Sequence, residues 1–182
     1  MGHLNWMMTY TGKVYTPLAP KPEDVRIADI AHALSMICRY GGAVRWFYSV
    51  AEHSVHVSHM VPPEQALEAL LHDASEAYCG DLITPIKCSG MLEEYRRMER
   101  RNDVAVRIRF GLPHEESVCV KKADTDIRET EWLTLMPPIP PEIRWEWPGE
   151  LNPEVHLKLW CPSVAEDMFL DRFRQLMKGK VM

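Results

Sequence analysis

An imidazole and two carboxylates sit together in an apolar stretch: His72, Asp73 and Glu76, with Asp81 and Lys87 just downstream. A histidine beside a carboxylate can grip a metal ion or move a proton. His53 stands upstream and Asp124 downstream, so the order His…His-Asp…Asp spells a possible four-ligand set: His53, His72, Asp73 and Asp124. Such donors suit Mn²⁺, Fe²⁺, Co²⁺, Ni²⁺ or Zn²⁺, and the lack of cysteine among them argues against a structural zinc. Neighbours on a helix point ~100° apart, so His72 and Asp73 share an ion only at a helix edge, with His53 and Asp124 arriving from other helices. A site of this kind keeps positions open for water and substrate. Glu76 lies one turn on along the same face, placed as a general acid or base. The competing reading makes His72-Asp73 a surface pair and Glu76 a solvated charge. Leu70, Leu71 and Ala74 bury this face, and a buried charge pair needs a partner.

Other polar side chains have two readings each. Arg39 ends a predicted helix beside Gly41-Gly42, whose freedom lets the backbone approach a ligand. Its guanidinium either forks onto a phosphate or pairs with a carboxylate. Lys87 and Lys121-Lys122 are phosphate candidates or solvated charges. Arg128 and Glu131 share the face of Asp124 and either orient a ligand or form a plain ion pair. His32 reads as a packed, hydrogen-bonded histidine, His56 and His59 as structural or as supports for a metal ligand, and Trp132, Trp145, Trp147 and Trp160 as packing, with base stacking as the alternative.

Several helices must position these groups. Residues 1–25 carry Gly12, Pro17, Pro20 and Pro22 without a period and read as an extended arm. Ile30, Ala33, Leu34 and Ile37 give 27–40 a helical face that Gly41-Gly42 stops. Residues 44–50 form a short strand or an extended connector. Ser49-Val-Ala-Glu52 is a capping box that puts His53 in the first turn of a helix. A second helix is predicted over 63–79, with Gly80 as its C-cap. A loop with Pro85 follows, then helices over 91–110 and 116–136. Six prolines mark 137–153 as a loop. Ser163-Val-Ala-Glu166 opens a last helix, 163–178. The expectation is an all-α bundle of about six helices, with no strand–helix alternation to support a parallel sheet.

Whole-chain properties narrow the function classes. At 182 residues the chain makes one domain, 1–182, with room for a hydrophobic core. A net charge of −5 argues against a nucleic-acid polymer as partner. No run approaches the ~18 apolar residues of a membrane span, and the first residues lack a signal-peptide pattern. Five cysteines without a Cys-x-x-Cys read as reduced thiols in a cytoplasmic protein. A homo-oligomer is the expected assembly.

Four segments, in order, resemble the HD-domain phosphohydrolase superfamily: Ala51-Glu-His-Ser54, Leu71-His-Asp-Ala-Ser-Glu76, Gly80-Asp-Leu-Ile-Thr-Pro-Ile-Lys87 and Val120-Lys-Lys-Ala-Asp124. The resemblance covers about 27–136 and is closest to bacterial 5'-deoxynucleotidases and their phage relatives. It implies an all-α fold and one divalent transition metal held by His53, His72, Asp73 and Asp124. It implies that Glu76 serves the attacking water, that Arg39 binds the phosphate, and that Asp81 reads the sugar 3'-hydroxyl. The nucleotidases carry Trp after that arginine, where this chain has Tyr40. The implied activity is release of phosphate from a deoxynucleoside 5'-monophosphate. Two alternatives share the motif: a triphosphohydrolase of the dATP type, which breaks the same bond, and a non-catalytic nucleotide-sensing module.

Overall fold

Most of the stretches whose apolar spacing has a helical period are helical, with breaks at residues 37–38 and 71–75. The computed structural model describes residues 5–87, 89–142, 152–153 and 155–178. Among these, eight α-helices surround the core, and the fold is all-α. Helix α1 (Ile27–Met36) buries Ile30, Ala31 and Leu34. It stops short of the predicted end, because Ile37 is extended and Cys38 bridges Ser49 in an antiparallel pair. Arg39 therefore sits in a separate 3-10 turn, Arg39–Gly42, and not at a helix end. Tyr40, Gly41 and Gly42 follow with φ of 57°, 61° and 79°, all left-handed.

Helix α2 (Val50–His59) begins as the capping motif predicts. Ser49 Oγ accepts the Glu52 N–H at 3.0 Å. The box is only half closed, because the Glu52 carboxylate turns away. It accepts the backbone N–H groups of Lys158, Leu159 and Trp160 at 2.6, 2.9 and 2.7 Å. One buried carboxylate thus pins the segment before α8 (Pro162–Lys178) onto α2. The second predicted box does not form. Pro162 opens α8, and Glu166 instead pairs with His32 Nδ1 at 2.9 Å.

The predicted single helix over 63–79 is broken. Helix α3 (Ala66–Leu70) and α4 (Glu76–Cys79) flank a turn, so His72 and Asp73 lie on that turn rather than on a continuous helix. The cause is local. His72 Nδ1–H donates to Ala69 O at 2.7 Å, occupying the carbonyl that Asp73 N–H would take in a continuing helix. Gly80 then caps α4 with φ 76°, as expected. Thr84–Lys87 forms a short α5 inside the predicted loop. Helix α6 (Glu93–Phe110) ends at left-handed Gly111, and α7 (Val118–Leu135) matches the predicted helix over 116–136.

The N-terminal arm is more than extended chain. Strands β1 (Met7–Met8) and β2 (Val14–Tyr15) pair as a hairpin. Tyr15 is fully buried, donates its hydroxyl to Asn102 Oδ1 at 2.7 Å and stacks on Tyr78. The larger apolar cluster joins α1, α2, α3 and α8 through Leu34, Ala51, Leu70 and Phe169. A smaller one joins α2, α3 and α7 through Val57, Ala69, Val120 and Ile127. Cys38, Cys79, Cys119 and Cys161 are free thiols. No helix among the described residues is long and apolar enough to cross a membrane. Most of the predicted 137–153 loop, with Trp145 and Trp147, lies outside the described residues, as does Cys88.

Glu52 gives the first prediction. Glu52→Gln keeps the shape but removes the charge that three N–H groups share, and a hydrogen bond to a charged group contributes about 1.5–3 kcal/mol. Urea unfolding should show a loss of at least about 2 kcal/mol at unchanged slope. A variant within ~0.5 kcal/mol of wild type, the usual range for a surface substitution, would show that the anchor adds nothing.

Candidate metal centre

Four side chains from three parts of the chain point their donor atoms at one small space. His53 comes from the first turn of α2, His72 and Asp73 from the turn between α3 and α4, and Asp124 from the second turn of α7. His53 Nε2 and His72 Nε2 lie 3.3 Å apart. Asp73 Oδ2 is 3.2 Å from His72 Nε2 and 3.7 Å from His53 Nε2. Asp124 Oδ1 is 3.2 Å from His53 Nε2 and 3.9 Å from His72 Nε2. Donors bonded to one ion at ~2.0–2.2 Å stand roughly 2.8–3.6 Å apart; the three separations of 3.2–3.3 Å fall within that range, and those of 3.7 and 3.9 Å lie just beyond it. The tightest group is His53, His72 and Asp73, whose donor atoms all lie within 4.8 Å of one another.

The tautomers point the same way. His53 Nδ1–H donates to Glu131 Oε1 at 2.6 Å, and His72 Nδ1–H donates to Ala69 O at 2.7 Å. Carboxylate and carbonyl oxygens only accept, so each Nδ1 must carry a proton. With both Nδ1 protons committed, the two Nε2 atoms face each other, and either a proton on one of them or a cation between them removes the clash. Holding the far nitrogen of a metal-ligating histidine in this way is how protein sites fix ring orientation.

Electrostatics favour positive charge at this spot. Burial works to raise the Asp73 carboxyl, but His72, His53 and Arg39 together hold it far below the usual range. Asp124 behaves alike, with His53, His72 and Arg128 outweighing its burial. Burial alone would lower His72, yet the Asp73 carboxylate beside it pushes the imidazole up to about 9.

A second layer surrounds the donors. Arg128 Nη2 donates to Asp124 Oδ2 at 2.6 Å. Glu131, fully buried, accepts Arg39 Nε and Nη2 on Oε2 at 3.1 and 2.9 Å, and the Tyr40 hydroxyl on the same atom at 3.1 Å. Burial would raise Glu131, but Arg39 and His53 bring it down to about 2. Arg39 Nη1 remains, 3.6 Å from Asp73 Oδ2. The sequence left Arg128 and Glu131 open between ligand orientation and plain pairing; both contact candidate ligands. It also did not single out Glu116, whose carboxyl is raised by burial and by Asp124 while His72 opposes the rise.

Glu76 opens α4 and is buried, with no hydrogen-bond partner for Oε2 among the described residues. Burial, then Asp73 and Asp81, raise its pKa well above the usual carboxyl range. Lys87 Nζ lies 3.6 Å from Glu76 Oε1 but bonds mainly to Glu99 at 2.8 Å. Asp81 follows the Gly80 cap, and its charge is felt at Glu76. A Cβ on Gly41 would meet Ile83 Cγ2 at 3.1 Å, so the turn carrying Arg39 and Tyr40 touches the loop carrying Asp81. Lys121 and Lys122 are exposed, and Lys122 pairs with Asp126 at 2.5 Å, away from the cluster's contacts. His56 stacks on Trp160, a packing role as expected.

No family model matches the chain. Over 128 residues it is 44% identical to "Uncharacterized protein YfdR" of Escherichia coli (strain K12), covering 70% of this chain and 71% of that protein. The chain belongs to the family of that protein. It is also 37% identical over 127 residues to "Uncharacterized protein RCAP_rcc00048" of Rhodobacter capsulatus, covering 65% of this chain and 64% of that protein. The chain thus spans just under two thirds of that second relative.

A site built for a cation should be stabilised by one. Co²⁺ or Mn²⁺ added to chelator-stripped protein at about a hundred times its Kd should contribute about 2.7 kcal/mol and raise Tm. His72→Ala should abolish the rise. An equal shift in that variant would place the cation elsewhere.

Proposed function

We propose that this protein is a metal-dependent phosphohydrolase that cleaves the 5'-phosphate ester of deoxynucleotides, releasing deoxynucleoside and phosphate. The observation that carries the reading is the pair of Nε2 atoms facing each other at 3.3 Å, both Nδ1 atoms committed as donors and two carboxylates alongside. His53, His72, Asp73 and Asp124 fit one divalent transition metal of the Mn²⁺, Fe²⁺, Co²⁺, Ni²⁺ and Zn²⁺ group. When bound, such an ion supplies a Lewis acid for a phosphoryl oxygen and a lowered pKa for water.

The chain's own residues supply the rest. Arg39 presents Nη1 beside the centre while Glu131 holds its other nitrogens, so the guanidinium meets a phosphoryl oxygen without reorganising. Glu76 is the buried acid whose free oxygen and raised pKa suit proton transfer. It takes the proton of the attacking water and returns it to the leaving 5'-oxygen. Lys87 balances the charge of Glu76. Asp81 accepts the sugar 3'-hydroxyl, and a 2'-hydroxyl then crowds the fit. The four sequence segments that resemble HD-domain phosphohydrolases support the same assignment.

The test is to incubate the Co²⁺- or Mn²⁺-loaded protein with each dNMP, dNTP and ribonucleotide and identify the products. Phosphate release from dNMPs is expected, with ribonucleotides poor. Triphosphate release from dNTPs alone would replace the nucleotidase reading, and no product from any would remove it. Glu76→Ala should keep its metal and lose about 10²–10⁴-fold in rate. Asp81→Ala should narrow the gap between deoxy- and ribonucleotide kcat/KM, because a site loses discrimination with the hydrogen bond it was built around.

A further inference from the structure

We propose that Glu131 is a positioning residue that couples cation binding at His53 to anion binding at Arg39. The inference rests on the reading above and concerns how its two halves communicate. Each oxygen of this buried carboxylate serves one half. Oε1 accepts the His53 Nδ1–H at 2.6 Å, and the buried Tyr48 hydroxyl also interacts with this carboxylate. Oε2 takes Arg39 Nε and Nη2 and the Tyr40 hydroxyl, at 3.1, 2.9 and 3.1 Å.

The arrangement links the sites electronically. A cation on His53 Nε2 withdraws density from the ring and makes Nδ1–H a stronger donor. The carboxylate charge then concentrates on Oε1 and its hold on Arg39 weakens, since hydrogen bonds in a chain polarise one another. More of the guanidinium charge is left for an anion at Nη1. The link is also mechanical. Tyr40 is held at φ 57°, a conformation rare outside glycine, with its hydroxyl on Oε2 and its ring edge on Trp132 at 5.9 Å. The turn carrying the anion-binding arginine is therefore fastened to the same carboxylate that aims the metal-binding imidazole.

The experiment reads two affinities: Co²⁺ by its visible absorption, and inorganic phosphate by calorimetry on Co²⁺-saturated protein. Glu131→Gln should weaken Co²⁺ by about 10–100-fold and alter its spectrum, the usual cost of losing an outer partner of a ligand. At saturating Co²⁺ it should still weaken phosphate, because Arg39 loses the partner that aims its Nη1, and this loss outweighs the guanidinium charge set free. Arg39→Ala should weaken phosphate without weakening Co²⁺, and the double variant should bind phosphate no worse than Arg39→Ala alone. Losses that add in full, or a Glu131→Gln protein with wild-type Co²⁺ affinity and spectrum, would overturn the proposal. Should Glu131→Gln fail to fold, Tyr40→Phe decides, since it removes one donor and leaves the charges paired. About fivefold weaker phosphate at unchanged Co²⁺ affinity supports the coupling, and unchanged phosphate affinity overturns it. Wild-type protein that binds no Co²⁺ would remove the metal centre itself, a failure distinct from these.

Discussion

A carboxylate with no exposure to water must have its charge answered inside the protein, and Glu131 sets that requirement for this fold. Its partners come from separate segments: His53 on α2, and Arg39 and Tyr40 on the turn after α1. Satisfying one buried charge therefore fixes α2, α7 and that turn relative to one another. Removing a partner from such a cluster leaves an uncompensated charge, at about 3–5 kcal/mol. The apolar clusters bring the helices together, but nothing in hydrophobic contact alone would aim two imidazole Nε2 atoms at each other.

The same principle recurs at two other points. Glu52 answers its burial with three backbone N–H groups and so docks the segment before α8. Glu68 accepts Ser117 N–H and Arg107 Nη1 at 2.9 and 3.2 Å, fixing the start of the helix that carries Asp124. Three buried glutamates thus set three of the junctions around the centre. In each case a helix contributes a carboxylate that a segment distant in sequence binds.

What the sequence made legible follows from this. Local signals were readable: the apolar face of α1, Ser49 as a cap and Gly80 as a stop. The types and order of His53, His72, Asp73 and Asp124 were readable too, and the fold brings them together. Side-chain bonds that compete with helix geometry were hidden. His72 breaks the 63–79 helix by taking the Ala69 carbonyl, which no periodicity reveals. Glu52 looked like half of a capping box because the motif is local, whereas its partners lie over a hundred residues on. Glu131 shared a face with Asp124, but its service to His53 and Arg39 depends on helix packing.

The proposed chemistry requires one divalent cation held by His53, His72, Asp73 and Asp124. Crystals grown with Mn²⁺ or Co²⁺ and measured near the metal's absorption edge test it directly. A single strong anomalous peak is expected at about 2.0–2.3 Å from His53 Nε2, His72 Nε2, Asp73 and Asp124. A peak elsewhere in the molecule, or none at a concentration that saturates binding in solution, would contradict it.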